Sequence, residues 1–220
     1  MALQDQRIVD HLASSQGFFV TNQYIERAEF FSARARNIVA EGLSQGLGQD
    51  EIARMLRAEI GNALGPARSG RYWNLIANVF VNRARTYGQL ASYSEAGIER
   101  YRFEAILDER TTEQCRMLHG REWEVRRGLQ QHIDVAGSPD PQAVKDIMPW
   151  FRTGRDENGD RVIFSQNQAG ERTIMARILE PGIGVRDRIG RYETTRALNE
   201  ISAVQPPLHG LCRSTIVASL

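Results

Sequence analysis

The 220 residues combine 41% hydrophobic and 25% charged side chains, the balance of a globular chain rather than a disordered tail. With 28 basic against 27 acidic residues the formal charge is +1, which argues against wrapping nucleic acid over the whole surface but leaves a local basic patch open. No run of about 18 apolar residues is present to span a membrane, and the start MALQDQRIVDHLASSQ lacks a secretory layout. Two cysteines, Cys115 and Cys212, do not make a disulfide scaffold, so synthesis in a reducing cytoplasm is expected.

The first hundred residues read as helices. From Ile25, the positions Ala28, Phe31, Ala35, Ile38 and Val39 recur at three- and four-residue spacing. Gly42, Gly46 and Gly48 interrupt this stripe, and Asp50 and Glu51 then place negative charge in the first turn of a second helix. Ile52, Ala53, Leu56 and Ile60 form its buried face, with Gly61 as its end and 64–70 as a linker. A longer helix is expected from about Tyr72 to Glu95, turning Leu75, Ile76, Val79, Phe80, Tyr87, Leu90 and Ala91 inward. Gly97 followed by Ile98 has the form of a left-handed C-cap with a hydrophobic latch.

The period then changes. Tyr101, Phe103, Ala105 and Leu107 alternate with polar residues, as in a half-buried strand. After the turn at 108–111, Thr111 and Gln114 have capping-box spacing for a short helix that carries Cys115, Met117, Leu118 and His119 and stops at Gly120. Trp123 and Val125 suggest a brief strand. Between 126 and 205 the pattern is least legible: a short helix near Pro141, a hairpin at Asn158-Gly159 before 162–164, and a helix over about Thr195 to Ile201. Pro206-Pro207 imposes an extended entry into 208–212, and Thr215-Ile216-Val217 reads as a closing strand beside the one near 101–107. The fold class is therefore α+β: a helical region over 1–97, then a small mixed module over 98–220 with a long insertion at about 126–203.

Two segments concentrate the chemistry: LDERTTEQCRMLHG at 107–120 and PPLHGLCRSTIV at 206–217. Each pairs one cysteine with one histidine. On a helix Cys115 and His119 are i and i+4 and share a face, while a glycine-containing turn can aim His209 and Cys212 at one point. Two sulfurs and two nitrogens suit tetrahedral zinc in a closed structural site, so Cys115, His119, His209 and Cys212 are the candidate metal ligands. Against this stand buried inert thiols with ordinary polar histidines, or a Cys115–Cys212 disulfide. Asp108, Glu109 and Arg110 are read as a turn and an ion pair rather than a catalytic cluster, and Arg213 as a salt-bridge partner of Asp108 or Glu109. Trp73, Trp123 and Trp150 are read as core anchors, and Arg83 and Arg85 as a solvated helix edge.

Ala96-Gly97-Ile98 ahead of a strand, then Asp108, Arg110, Thr111, Cys115, Leu118 and Gly120, and later Pro206, Pro207, His209, Cys212, Arg213 and Ser214, resemble the C-terminal module of Mu F-like phage minor head proteins. The segment EGLSQGLGQDEIARML is similar to the helix pair that commonly precedes it. The resemblance covers about 35–125 and 204–220. Many members carry a further cysteine where this chain has Thr112, and the gap between the two motifs is longer than in compact members. It implies a structural component of the phage head, associated with portal, capsid or scaffold proteins inside the virion and assembled in the host cytoplasm. Delivery with the DNA, and a DNA contact, are compatible with it. The alternative is an enzyme, a toxin or metal-dependent nuclease-like effector on the same module. No paired-glycine phosphate loop, G-x-S-x-G elbow or H-E-x-x-H helix supports that alternative.

Overall fold

The structure is a computed structural model, and it describes residues 28–60, 70–138, 143–184 and 188–219. Its first part is helical: α1 (Ala28–Ser44), α2 (Gln49–Glu59) and α3 (Gly70–Glu95). Glu51 accepts the Gly48 N–H at 3.1 Å, so an exposed donor of the α2 terminus is met by a carboxylate that also complements the helix dipole. Ile38, Val39, Ile52, Leu56, Ile60, Trp73, Ile76 and Phe80 interlock as one core. The anticipated linker lies mostly outside the described residues; Gly70, its last residue, already belongs to α3.

At the end of α3, Gly97 takes φ +71°, and the Ile98 N–H reaches back to the Tyr93 carbonyl at 2.9 Å. This left-handed cap, which a side chain would strain, turns the chain into β1 (Arg100–Glu104). β1 is the centre of a three-stranded antiparallel sheet, with β2 (Glu122–Glu124) on one side and β7 (Thr215–Ser219) on the other. Tyr101 faces Ala218 and Phe103 faces Ile216, so the first and last strands of the mixed region pair directly, as their alternating pattern suggested.

Between β1 and β2 lies α4 (Glu113–Leu118). Its boundary differs from the capping-box reading. Thr112 is the N-cap residue, while the Thr111 hydroxyl accepts the Asp108 N–H at 2.8 Å and donates to the Ile106 carbonyl, closing the turn instead of the helix. Val125, expected in a strand, starts α5 (Val125–Gly137), which packs on α3. The buried face of α5 is Val125, Gly128, Gln131, His132 and Val135. Two of its five positions are polar side chains satisfied by a network: Gln131 donates to the Ile147 and Ala203 carbonyls, and His132 meets Gln205 at 3.1 Å. An amide and an imidazole thus share the buried face of this helix with apolar side chains.

The long, least legible insertion builds a second sheet, of which the sequence suggested a single hairpin. A short α6 (Val144–Ile147) leads to β3 (Phe151–Arg155), β4 (Arg161–Gln166), β5 (Arg172–Glu180) and β6 (Arg191–Thr194), a four-stranded antiparallel meander. Asn158-Gly159 does sit in its first hairpin, with Gly159 at φ +84°. One face, with Phe151, Ile163, Ala176 and Ile178, packs with Phe103, Leu118, Leu208 and Cys212 in a second core. α7 (Arg196–Glu200) follows, and the chain returns through 201–214 to β7.

Two further expectations need correction. Arg83 is not on a solvated edge: it is 4% exposed, and burial alone pulls its guanidinium down to about 9, whereas Arg85 is exposed. Among the tryptophans Trp73 is buried in the first core and Trp123, half-buried with its ring 6.2 Å from Tyr101, packs against the second, as core anchors should; Trp150 is only half-buried.

Candidate metal centre

The returning segment 204–216 is tied to α3 and β1 by polar contacts with its backbone. Asn82 donates to the Cys212 carbonyl at 2.7 Å, Thr86 to Pro206 at 3.3 Å, and Gln89 to Ile216 at 3.2 Å. The buried Tyr101 hydroxyl donates to the Val204 carbonyl at 3.0 Å. Asn82, Thr86 and Gln89 recur at four- and three-residue spacing, so one polar stripe on a mostly apolar helix receives an extended strand of chain. Gly210 comes so close to α3 that a Cβ there would lie 2.5 Å from Leu75 Cδ1. Within the turn the Cys212 N–H bonds the His209 carbonyl at 3.2 Å, which holds both side chains on one side.

That docking brings His209 and Cys212 to Cys115 on α4. Cys115 Sγ is 3.4 Å from His209 Nε2 and 3.9 Å from Cys212 Sγ, and all three candidate ligand atoms lie within 4.8 Å of one another. Both cysteines are free and buried. Thr112 Oγ1 is 3.2 Å from His209 Nε2, so the residue that replaces the further cysteine of many Mu F-like proteins lines the same cluster. Tetrahedral zinc, with Zn–S about 2.3 Å and Zn–N about 2.05 Å, requires S···S of about 3.8 Å and S···N of about 3.6 Å. The two distances from Cys115 are within a few tenths of an ångström of those values, so these residues could supply three of the four donors of such an ion.

The fourth expected ligand stands apart. α4 ends at Leu118, and His119 has φ −53° and ψ 127°, so the i, i+4 geometry of a continuous helix does not apply to it. Its Nδ1 accepts the Ala105 N–H at 3.2 Å and lies 4.0 Å from Glu104, on the β1 side.

The electrostatics of the cluster follow from its crowding. The contact between the two sulfurs, together with His209, lowers the Cys212 thiol, while Cys115 is raised by the same contact and by burial. Beside them Asp108 holds Arg213 bidentately, at 2.8 and 2.6 Å, and the guanidinium keeps the Asp108 carboxyl well below the usual range. The ion pair expected from the sequence is therefore present with Asp108 as the partner.

Two side chains that the sequence did not single out fasten α4 in place. Arg116 is 2% exposed, yet it donates to the Thr111 carbonyl at 3.3 Å, Asp108 at 2.5 Å and Gly184 at 2.9 Å. Glu113 accepts the Tyr192 hydroxyl at 2.6 Å and the Gly182 N–H at 3.2 Å. Both tie the helix that carries Cys115 to the chain around the second sheet. A charged residue in a short helix defaults to solvent, so only its flanking by Cys115 and Met117 hinted otherwise.

Comparison with protein-family models matches residues 33–138 to the family described as Phage Mu protein F like protein. No curated protein and no solved structure matches the chain. The matched range opens close to the start read from the motifs, takes in all of α5, and stops before the second motif at 206–217. The matched range thus lies in the first two-thirds of the chain and ends within the mixed module, and the His209–Cys212 turn docks onto it from outside. Residues 33–138, from within α1 to the end of α5, are therefore similar to the phage Mu F-like family.

Proposed function

We propose that this chain is a minor head protein of a bacteriophage or related element, acting in head morphogenesis as a structural and not a catalytic component. The observation that carries the reading is the family match across α1–α5. Its partners are the portal, capsid or scaffold proteins, its place is the head interior, and delivery with the DNA is a further step of the same proposal. Among the described residues no helix is long and apolar enough to cross a membrane, which agrees with such a place. The division into a helical partner-binding region over 1–97 and a mixed module over 98–220 belongs to this proposal. Co-expression with the portal protein of the same phage or element is the test. Co-purification supports the role; a chain that stays a monomer and ignores portal, capsid and scaffold proteins overturns it.

In the same proposal Cys115, His209 and Cys212 hold a structural zinc ion, with Thr112 beside them. The supporting observation is the spacing of the three donors. When bound, zinc would supply a cross-link between α4 and the 206–214 segment, residues 94 to 97 apart in sequence. Metal analysis of protein purified without chelator should find about one equivalent, lost in Cys212→Ser; no stoichiometric metal in either protein removes this part of the reading.

A further inference from the structure

The same two sulfurs can meet each other. Cys115 Sγ and Cys212 Sγ lie 3.9 Å apart, and both residues are at most 3% exposed. A disulfide needs about 2.05 Å, so less than 2 Å of approach remains to be shared by two side chains. One is carried by a helix that Arg116 and Glu113 hold in place; the other is in a loop turn whose tip, Leu211, is 42% exposed. The chain has two cysteines in all, so no third thiol competes for either.

We propose that Cys115 and Cys212 form an oxidation site for small hydroperoxides, which close them into a disulfide that locks the C-terminal segment onto α4. In the first step a peroxide oxygen adds to one sulfur; the O–O bond breaks, and one sulfenic acid and one water are formed. In the second step the other sulfur attacks the sulfenyl sulfur. The S–S bond forms, the S–O bond breaks, and the departing hydroxide leaves as water with the second thiol's proton. Two thiols give up two electrons and two protons, and hydrogen peroxide becomes two waters. Burial of both sulfurs selects a small oxidant over a bulky one such as glutathione disulfide. His209, half-buried, brings Nε2 to 3.4 Å from Cys115 Sγ.

This inference rests on the sulfur separation and not on the metal reading. The two are exclusive at any moment, because a bound ion occupies the lone pairs that oxidation needs, so loading with zinc should slow the closure. The resulting bond would close a loop of about 97 residues, a length at which a cross-link removes much denatured-chain entropy. An unfolding midpoint higher by roughly 5 °C or more is expected.

The test uses the full chain, stripped of metal by chelator and treated with a few equivalents of hydrogen peroxide. Intact mass after alkylation without reductant should show both alkylation sites lost together and two hydrogens gone. Trypsin should release one cross-linked species joining residues 111–116 to residues 197–213, since arginines bound both peptides. Cys212→Ser should instead give a sulfenic acid on Cys115 that dimedone traps when it is present as the oxidised protein is unfolded in denaturant. Natively folded wild-type protein that over-oxidises one cysteine while the other stays alkylatable, or that forms only intermolecular dimers, overturns the proposal. Absence of zinc with formation of the disulfide defeats the metal reading alone. Zinc binding with no disulfide in the stripped protein defeats this inference alone.

Discussion

Gly210→Ala is the smallest change that should unseat the His209–Cys212 turn. The new Cβ would lie 2.5 Å from Leu75 Cδ1 and 2.7 Å from Cγ, against an ordinary carbon contact of about 3.5–4.0 Å. More than 1 Å of displacement is needed, and the backbone carbonyl of Cys212 is held on the same helix by Asn82. Overpacking of this size costs about 1–3 kcal/mol. For a chain of this length that is a fall in midpoint of roughly 2–10 °C. The cost comes from the meeting of two side chains, so Leu75→Ala in the same molecule should relieve it. Leu75 is half-buried, and its truncation alone should cost about 1–2 kcal/mol, less than a fully buried leucine. Urea unfolding of the wild type, both single variants and the double variant closes a double-mutant cycle, with an expected coupling of about 1–2 kcal/mol in favour of the pair. Reactivity of the two thiols with a maleimide should rise in Gly210→Ala and return toward wild type in the double variant. Strict additivity of the two substitutions would refute the claim that steric closeness of the 210 turn to α3 sets its position.

Arg116→Ala should destabilise by about 3 kcal/mol or more, because it leaves the Thr111, Asp108 and Gly184 carbonyls without their shared donor; Arg116→Lys should recover only part, since one ammonium cannot reproduce the planar fork, and thermal unfolding measures both. The Asp108 carboxyl is depressed in the folded chain, first of all by its hydrogen bonds with Arg213, so its contribution is fully present above the unfolded value near pH 4 and is lost as pH falls toward the folded one. Acid titration of stability should therefore show a component below about pH 4 that Asp108→Asn removes, with no corresponding difference in slope between pH 6 and 8. If the metal reading holds, chelation should lower the unfolding midpoint of wild-type protein and leave that of Cys212→Ser unchanged.

Local order was legible wherever one residue's chemistry or one strong period decided it. The apolar stripes of α2 and α3, the Gly97 cap and the alternation of Tyr101 and Phe103 all follow from spacing along a single element, and each appears in the structure. The pairing of the two Cys–His segments was also suggested by composition, because both cysteines of the chain lie beside histidines. Which histidine joins the sulfurs was decided by tertiary structure. α4 is only six residues long and ends at Leu118, so His119 turns to Ala105 while His209 arrives from 94 residues further along. α5 was missed for a related reason. Its buried face includes Gln131 and His132, and polar groups of this kind become tolerable in a core only once distant partners such as Gln205, Ile147 and Ala203 supply their hydrogen bonds. Arg116 is the sharpest case: in sequence it is a charge that belongs in water, and three carbonyls brought together from two separate parts of the chain are what let it stay inside.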